Sequence, residues 1–228
     1  MKARVLWESP AVSRLRSSIS LLTERRLEMY AVLDGLFLFL GIAAAFGGAS
    51  SAAAFYFPNV LLPLLLIVVP MTAEAVAVER RSGTLDLALT SPAARFYFER
   101  RIGAVAALVI VQSWLLVFVP WLVVEKFPLS APFLQIPLVV LFVCAVVLNW
   151  AVRLKTAGAV SFATYITVAA FGPWVFSNPI RPLGPSTGKM TLPDYIDFAQ
   201  QNLVLAAAAL IFYLYARQRL ARPEAIIS

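Results

Sequence analysis

Residues 57–78 and 102–124 are two apolar runs, each about as long as the ~20 residues a helix needs to cross the hydrocarbon core of a bilayer. Two spans in sequence need only a tight turn between them. Here the connection is a charged island, residues 79–101, opening with Glu79-Arg80-Arg81-Ser82-Gly83-Thr84-Leu85-Asp86-Leu87-Ala88-Leu89-Thr90-Ser91-Pro92. Its local signals predict a structured element. Gly83 permits a sharp turn, and Thr84 is a good helix N-cap. Residues 85–91 suffice for roughly two helical turns, and Pro92 cannot continue the ladder. A short surface helix held between two spans suits the docking of a soluble partner.

The rest of the chain predicts the same environment. It is 61% hydrophobic and 14% charged, with mean hydropathy +0.83, whereas soluble domains carry about 25% charged residues. We expect an all-α integral membrane protein, one domain over residues 1–228, with six spans: 31–50, 57–78, 102–124, 132–152, 156–176 and 195–216. The sixth has a polar start in Asp197, Gln200, Gln201 and Asn202 and is strongly apolar only from Leu203. In the leader, residues 1–30, Val12, Leu15, Ile19 and Leu22 recur at helical spacing, with Arg14, Glu24 and Arg25 off that stripe. This predicts an interfacial helix. The first apolar run begins near Ala31, so no cleavable signal peptide is expected.

All but three of the 19 Lys and Arg residues fall on one side of this arrangement; Lys126, Arg181 and Lys189 are the exceptions. Basic loops stay in the cytoplasm, so both termini and the 79–101 loop are expected there. The distribution accounts for the net charge of +7 without nucleic acid. The outer loop, 177–194, is stiffened by Pro179, Pro182, Pro185 and Pro193 and reads equally as a re-entrant or a plain surface segment. Small residues in span one (Gly41, Ala45, Gly48) and span five (Ala157, Gly158, Ala159, Ala163) predict close helix contacts.

Chemistry-bearing residues are sparse. The chain has no histidine and one cysteine, Cys144, inside an apolar run and read as packing. No nucleophile–base pair or metal-ligand set is apparent, so we expect no catalytic residues and no metal. Residues 184–190 superficially resemble a phosphate-binding loop, but only three residues separate Gly184 from Gly188, and Met190 stands where a hydroxyl is required. Glu74 is the notable isolated charge, about 7.5 Å deeper along its helix than Glu79. It reads either as a functional intramembrane carboxylate or as a partner for Arg81 or an arginine near Arg100. Gln112 and Asn149 read as interhelical hydrogen-bond partners, and Asp34 as complementing the start of span one.

The run Pro70-Met71-Thr72-Ala73-Glu74, then Glu79 to Leu85 and Thr90-Ser91-Pro92, resembles the type-2 ATP-binding-cassette (ABC) permease family. It is most similar to the small bacterial branch linked with gliding motility and nitrous-oxide-reductase maturation. The likeness is specific across residues 70–92; elsewhere it rests on length, six spans and internal termini. The chain departs from it at Leu87-Ala88, where the family often has Leu-Leu, and at Arg100 to Gly103, where it often has Gly-Lys. The resemblance implies a non-enzymatic permease subunit of an ATP-driven exporter in a bacterial inner membrane. It would work as a homodimer or with a related permease, beneath which a separate ATPase subunit binds ATP and magnesium. Glu79, Arg80, Arg81, Gly83, Thr84, Leu85, Asp86, Leu87, Leu89, Thr90 and Pro92 would then form the coupling element, with Arg153 and Lys155 as a lesser contact. The rival readings are a secondary transporter, for which no repeated halves are visible, and a membrane scaffold without transport activity.

Overall fold

The computed structural model describes residues 26–46, 55–81, 97–123, 127, 129–177 and 192–220. They are helical almost throughout, with no strand among them. Helix α1 is Arg26–Phe46; a π-helical turn, Phe57–Leu61, leads into α2, Leu62–Arg81. Then follow α3 (Tyr97–Val123), α4 (Ser130–Ala151), α5 (Ala157–Ala170), α6 (Gly172–Val175) and α7 (Leu192–Leu220).

Among the described residues, four helical stretches are long and apolar enough to cross a membrane: Phe57–Ala77, Glu99–Val119, Ser130–Ala151 and Tyr195–Leu220. They coincide with the expected second, third, fourth and sixth spans. The expected first span falls on α1. That helix starts at Arg26, so residues 26–30 of the expected leader belong to it. The leader's apolar stripe, Val12 to Leu22, lies outside the described residues.

The expected fifth span is two pieces. α5 has 14 residues, about 21 Å at 1.5 Å per residue, against ~30 Å of hydrocarbon core. The break follows from Pro173, whose ring would collide with the Ala169 carbonyl and which offers it no N–H. Pro173 instead sits in the first turn of α6, where no N–H is needed. At the other end of α5, Thr156 is the N-cap, its Oγ1 accepting from the Ala159 N–H at 3.3 Å. The packing face of α5 is Val160, Thr164 and Val168, all buried at helical spacing. Gly158 and Ala159, from the expected small-residue contact, are exposed.

Proline also shapes the start of α2. In a regular α-helix the Pro63 ring would strike the Asn59 carbonyl. The chain widens there instead, Leu62 N–H reaching back to the Phe57 carbonyl in a π turn. The buried Asn59 side chain donates to the Phe55 carbonyl at 3.1 Å. Three threonine hydroxyls are satisfied within their own helices: buried Thr72 donates to Val68 (2.6 Å), buried Thr164 to Val160 (2.8 Å) and half-buried Thr167 to Ala163 (2.8 Å).

α4 is apolar on every side and is the central helix, packing against α2, α3, α5 and α7. The apolar stretches of α2 and α4 are 78% and 72% buried, against 39% for α3 and 11% for α7, so α2 and α4 make the core. Phe142 of α4, Phe171 at the α5–α6 break and Phe212 of α7 form a triangle of rings with centroids 5.1–6.1 Å apart, seating α7. Outward sides remain apolar: Val32, Leu36 and Phe39 on α1, Val111 and Leu115 on α3, Leu203 and Ile211 on α7. Contiguous exposed apolar surface on this scale is rare in soluble monomers, and these helices suit a membrane protein.

Candidate functional site

Contacts between distant residues sort the helix ends into two groups. Lys155, in the turn after α4, borders a small crevice with Ala73, Val76 and Ala77 near the end of α2. Arg153 lies over the Tyr215 ring of α7 at 4.9 Å, and Glu99 at the start of α3 shares a cleft with Leu148 and Tyr213. The ends of α2, α4 and α7 therefore lie with the beginning of α3. Arg100, Arg101, Arg153, Lys155, Arg217 and Arg219 all belong to this basic end. Residues far apart in the chain but alike in charge are thereby brought together, as the alternation of basic loops predicts.

The expected coupling element falls mostly outside the described residues: Gly83, Thr84, Leu85, Asp86, Leu87, Leu89, Thr90 and Pro92 are not among them. Glu79, Arg80 and Arg81 form the last turn of α2. α2 and α3, which flank the element, pack against each other. Arg153 is exposed and sandwiched on its own chain, 5.3 Å from the Trp150 ring and 4.9 Å from that of Tyr215, with Arg219 5.9 Å from Tyr215. The Trp150 indole in turn donates to Thr167 Oγ1 at 3.0 Å, locking the turn to α5. Cation–π contacts of this kind are worth about 0.5–1 kcal/mol at exposed sites. Lys155 is exposed beside the end of α2. Glu74 is half-buried and Arg101 buried, and neither lacks a partner.

At the far end a polar clasp joins three elements that sequence reasoning did not connect. The buried Tyr56 hydroxyl donates to Gln135 Oε1 at 3.0 Å. Gln135 Nε2 donates to the Ser177 carbonyl at 2.6 Å and to its Oγ at 2.9 Å, and Ser177 Oγ donates to the Trp174 carbonyl at 3.0 Å. The only advance signal was a lone glutamine inside an apolar run, which is costly unless bonded. The expected interhelical partner Asn149 is buried, and its Oδ1 makes no hydrogen bond among the described residues. Asp34 is buried with its Oδ1 likewise unbonded. Cys144 packs with its Sγ 4.0 Å from Thr72 Oγ1.

Running from the basic end along the helices lies a cleft of about 330 Å³. α3 and α7 both rest on α4 and scarcely touch one another, and the gap between them is the cleft. Gly103 and Ala106 of α3, Cys144 and Ala145 of α4 and Ala209 of α7 leave the room, and Glu99 stands at the basic end. Pockets of 300 Å³ and above, mostly apolar with few polar groups, are of ligand-binding size. A scan against protein-family models, a search of curated proteins and a search of solved structures each found no match to this chain.

Proposed function

We propose that this chain is the permease subunit of an ATP-driven exporter of the ABC type. Six crossings are proposed, α1 making the first and α5 with α6 the fifth. The basic end faces the cytoplasm with both termini, and a coupling helix over residues 84–91 meets a separate ATPase. The observation that carries this reading is the placement of the Lys155 turn against the end of α2, immediately before the Glu79-to-Pro92 motif. In this reading the Lys155 turn and the loop that follows α2 share one docking surface at the basic end. ATP-driven closure of a soluble dimer moves membrane helices only through a rigid element anchored to both, and the proposed coupling helix would supply it between α2 and α3, which pack together.

The test is co-expression with an ABC ATPase encoded beside the chain. The permease purified alone is expected to hydrolyse no ATP, and the two subunits to co-purify with stimulated hydrolysis. Failure to co-purify, with transport by this chain alone in liposomes under an ion gradient, would replace the reading with a secondary transporter. Neither partner nor transport would leave a scaffold.

A further inference from the structure

The cleft between α3 and α7 is built from stripes one helical turn apart: positions 99, 102, 103 and 106 on α3, and 141, 144, 145 and 148 on α4. Seven residues at 1.5 Å each make it about 10 Å long and parallel to the helices. Space in it is real at side-chain scale: a Cβ added at Gly103 meets nothing within 4 Å. The rim residues Leu141 and Leu210 are 52% and 57% exposed, so the cleft opens sideways, between the apolar outer sides of the helices. A ligand dissolved in the membrane can enter there; one dissolved in water would first have to cross apolar surface.

Polarity is confined to one end. Glu99 is the ionisable acid of the lining, and it stands at the first residue of α3's apolar stretch, the depth at which headgroups lie. The next residue, Arg100, is exposed. An apolar slot ending in a carboxylate matches an acyl chain whose head bears an ammonium. An anionic head without an amine would set phosphate against carboxylate. We propose that this cleft binds a membrane phospholipid with a protonated amine in its headgroup, Glu99 accepting the ammonium and the acyl chain lying along Gly103 and Ala106. The proposal is independent of the permease reading, because it needs only the membrane and the cleft.

Native mass spectrometry of the full-length, delipidated protein in detergent tests it, using equimolar phosphatidylethanolamine and phosphatidylglycerol with identical acyl chains. Wild type should retain one phosphatidylethanolamine, with a preference of roughly fivefold, the upper range for a partly exposed ion pair. Glu99→Gln should erase the preference, and Gly103→Leu should abolish retention at that site while the protein elutes and melts as wild type does. Should Gly103→Leu misfold, Ala209→Leu fills the same space from α7. Equal retention of both lipids by wild type, or an unchanged preference in Glu99→Gln, overturns the proposal. So does a cleft-filling variant that keeps its lipid but loses self-association, which would make the cleft the seat of a second copy.

Discussion

Replacing Gln135 with leucine keeps the side chain's approximate bulk and removes the polar clasp at the far end. Two losses follow. The hydroxyl of Tyr56, a residue 1% exposed, loses its acceptor, and a buried donor left unsatisfied costs about 1–3 kcal/mol. The half-buried Ser177 carbonyl and hydroxyl lose the amide that held them at 2.6 and 2.9 Å, roughly a further 1 kcal/mol. Removing the amide from an apolar interior offsets part of this, and interhelical hydrogen bonds in membranes average only about 0.6 kcal/mol. We therefore expect Gln135→Leu to destabilise by about 2 kcal/mol. Tyr56→Phe alone should cost about 1 kcal/mol. The double variant should cost about 2 rather than 3 kcal/mol, because the phenol no longer lacks an acceptor once it is gone; the coupling of about 1 kcal/mol is the signature. Reversible unfolding in mixed micelles, followed by far-UV circular dichroism as dodecyl sulfate is added, measures all three. A Gln135→Leu variant within 0.5 kcal/mol of wild type, or strictly additive singles, would refute the assignment of the clasp as a joint between the start of the π turn, α4 and the end of α6.

Arg153→Ala should cost about 1 kcal/mol in the same unfolding assay, through lost stacking on Trp150 and Tyr215, and Arg153→Lys about half of that; unchanged stability in both would show the stack to be idle. In the 84–91 segment, helical spacing sets Leu85, Ala88 and Leu89 on one side and Asp86, Leu87 and Thr90 on the other. With Leu87 facing the ATPase, Leu87→Asp should weaken co-purification about ten- to a hundredfold, the worth of one buried leucine, with normal folded yield. Leu89→Asp should lower the yield instead, and the reverse pattern by gel filtration and pull-down would invert the faces.

The long helices were legible because hydropathy alone decides them: the runs at 57–78, 102–124 and 132–152 each overlap most of a helical stretch of spanning length. So was the common end of Arg153, Lys155 and Arg217, since an alternating charge pattern folds onto one side. The break at Phe171 was written in Gly172-Pro173, but an uninterrupted apolar run from Val168 to Phe176 hides a conformational stop from any reading based on hydropathy. The clasp was not legible, because Gln135 meets partners 79 and 42 residues away and periodicity carries no information about such pairs. Nor was the cleft. Its space arises from the sum of Gly103, Ala145 and Ala209 on three helices, none of which is unusual in its own segment. The coupling residues from Gly83 to Pro92 rest on their motif.

On the proposed six-crossing reading, the break between α5 and α6 has a consequence for the bilayer itself. α5 rises about 21 Å and turns off at Phe171, whereas α4 beside it, with 22 residues, rises about 33 Å. The two flanks of one small protein thus ask for different hydrophobic thicknesses, and lipids next to α5 must compress where those next to α3 and α7 need not. Mismatch of this kind costs fractions of a kcal/mol per Å, enough over several ångströms to recruit short-chain lipids to one flank. Bilayer thickness becomes a variable to which the α5–α6 elbow is mechanically tied.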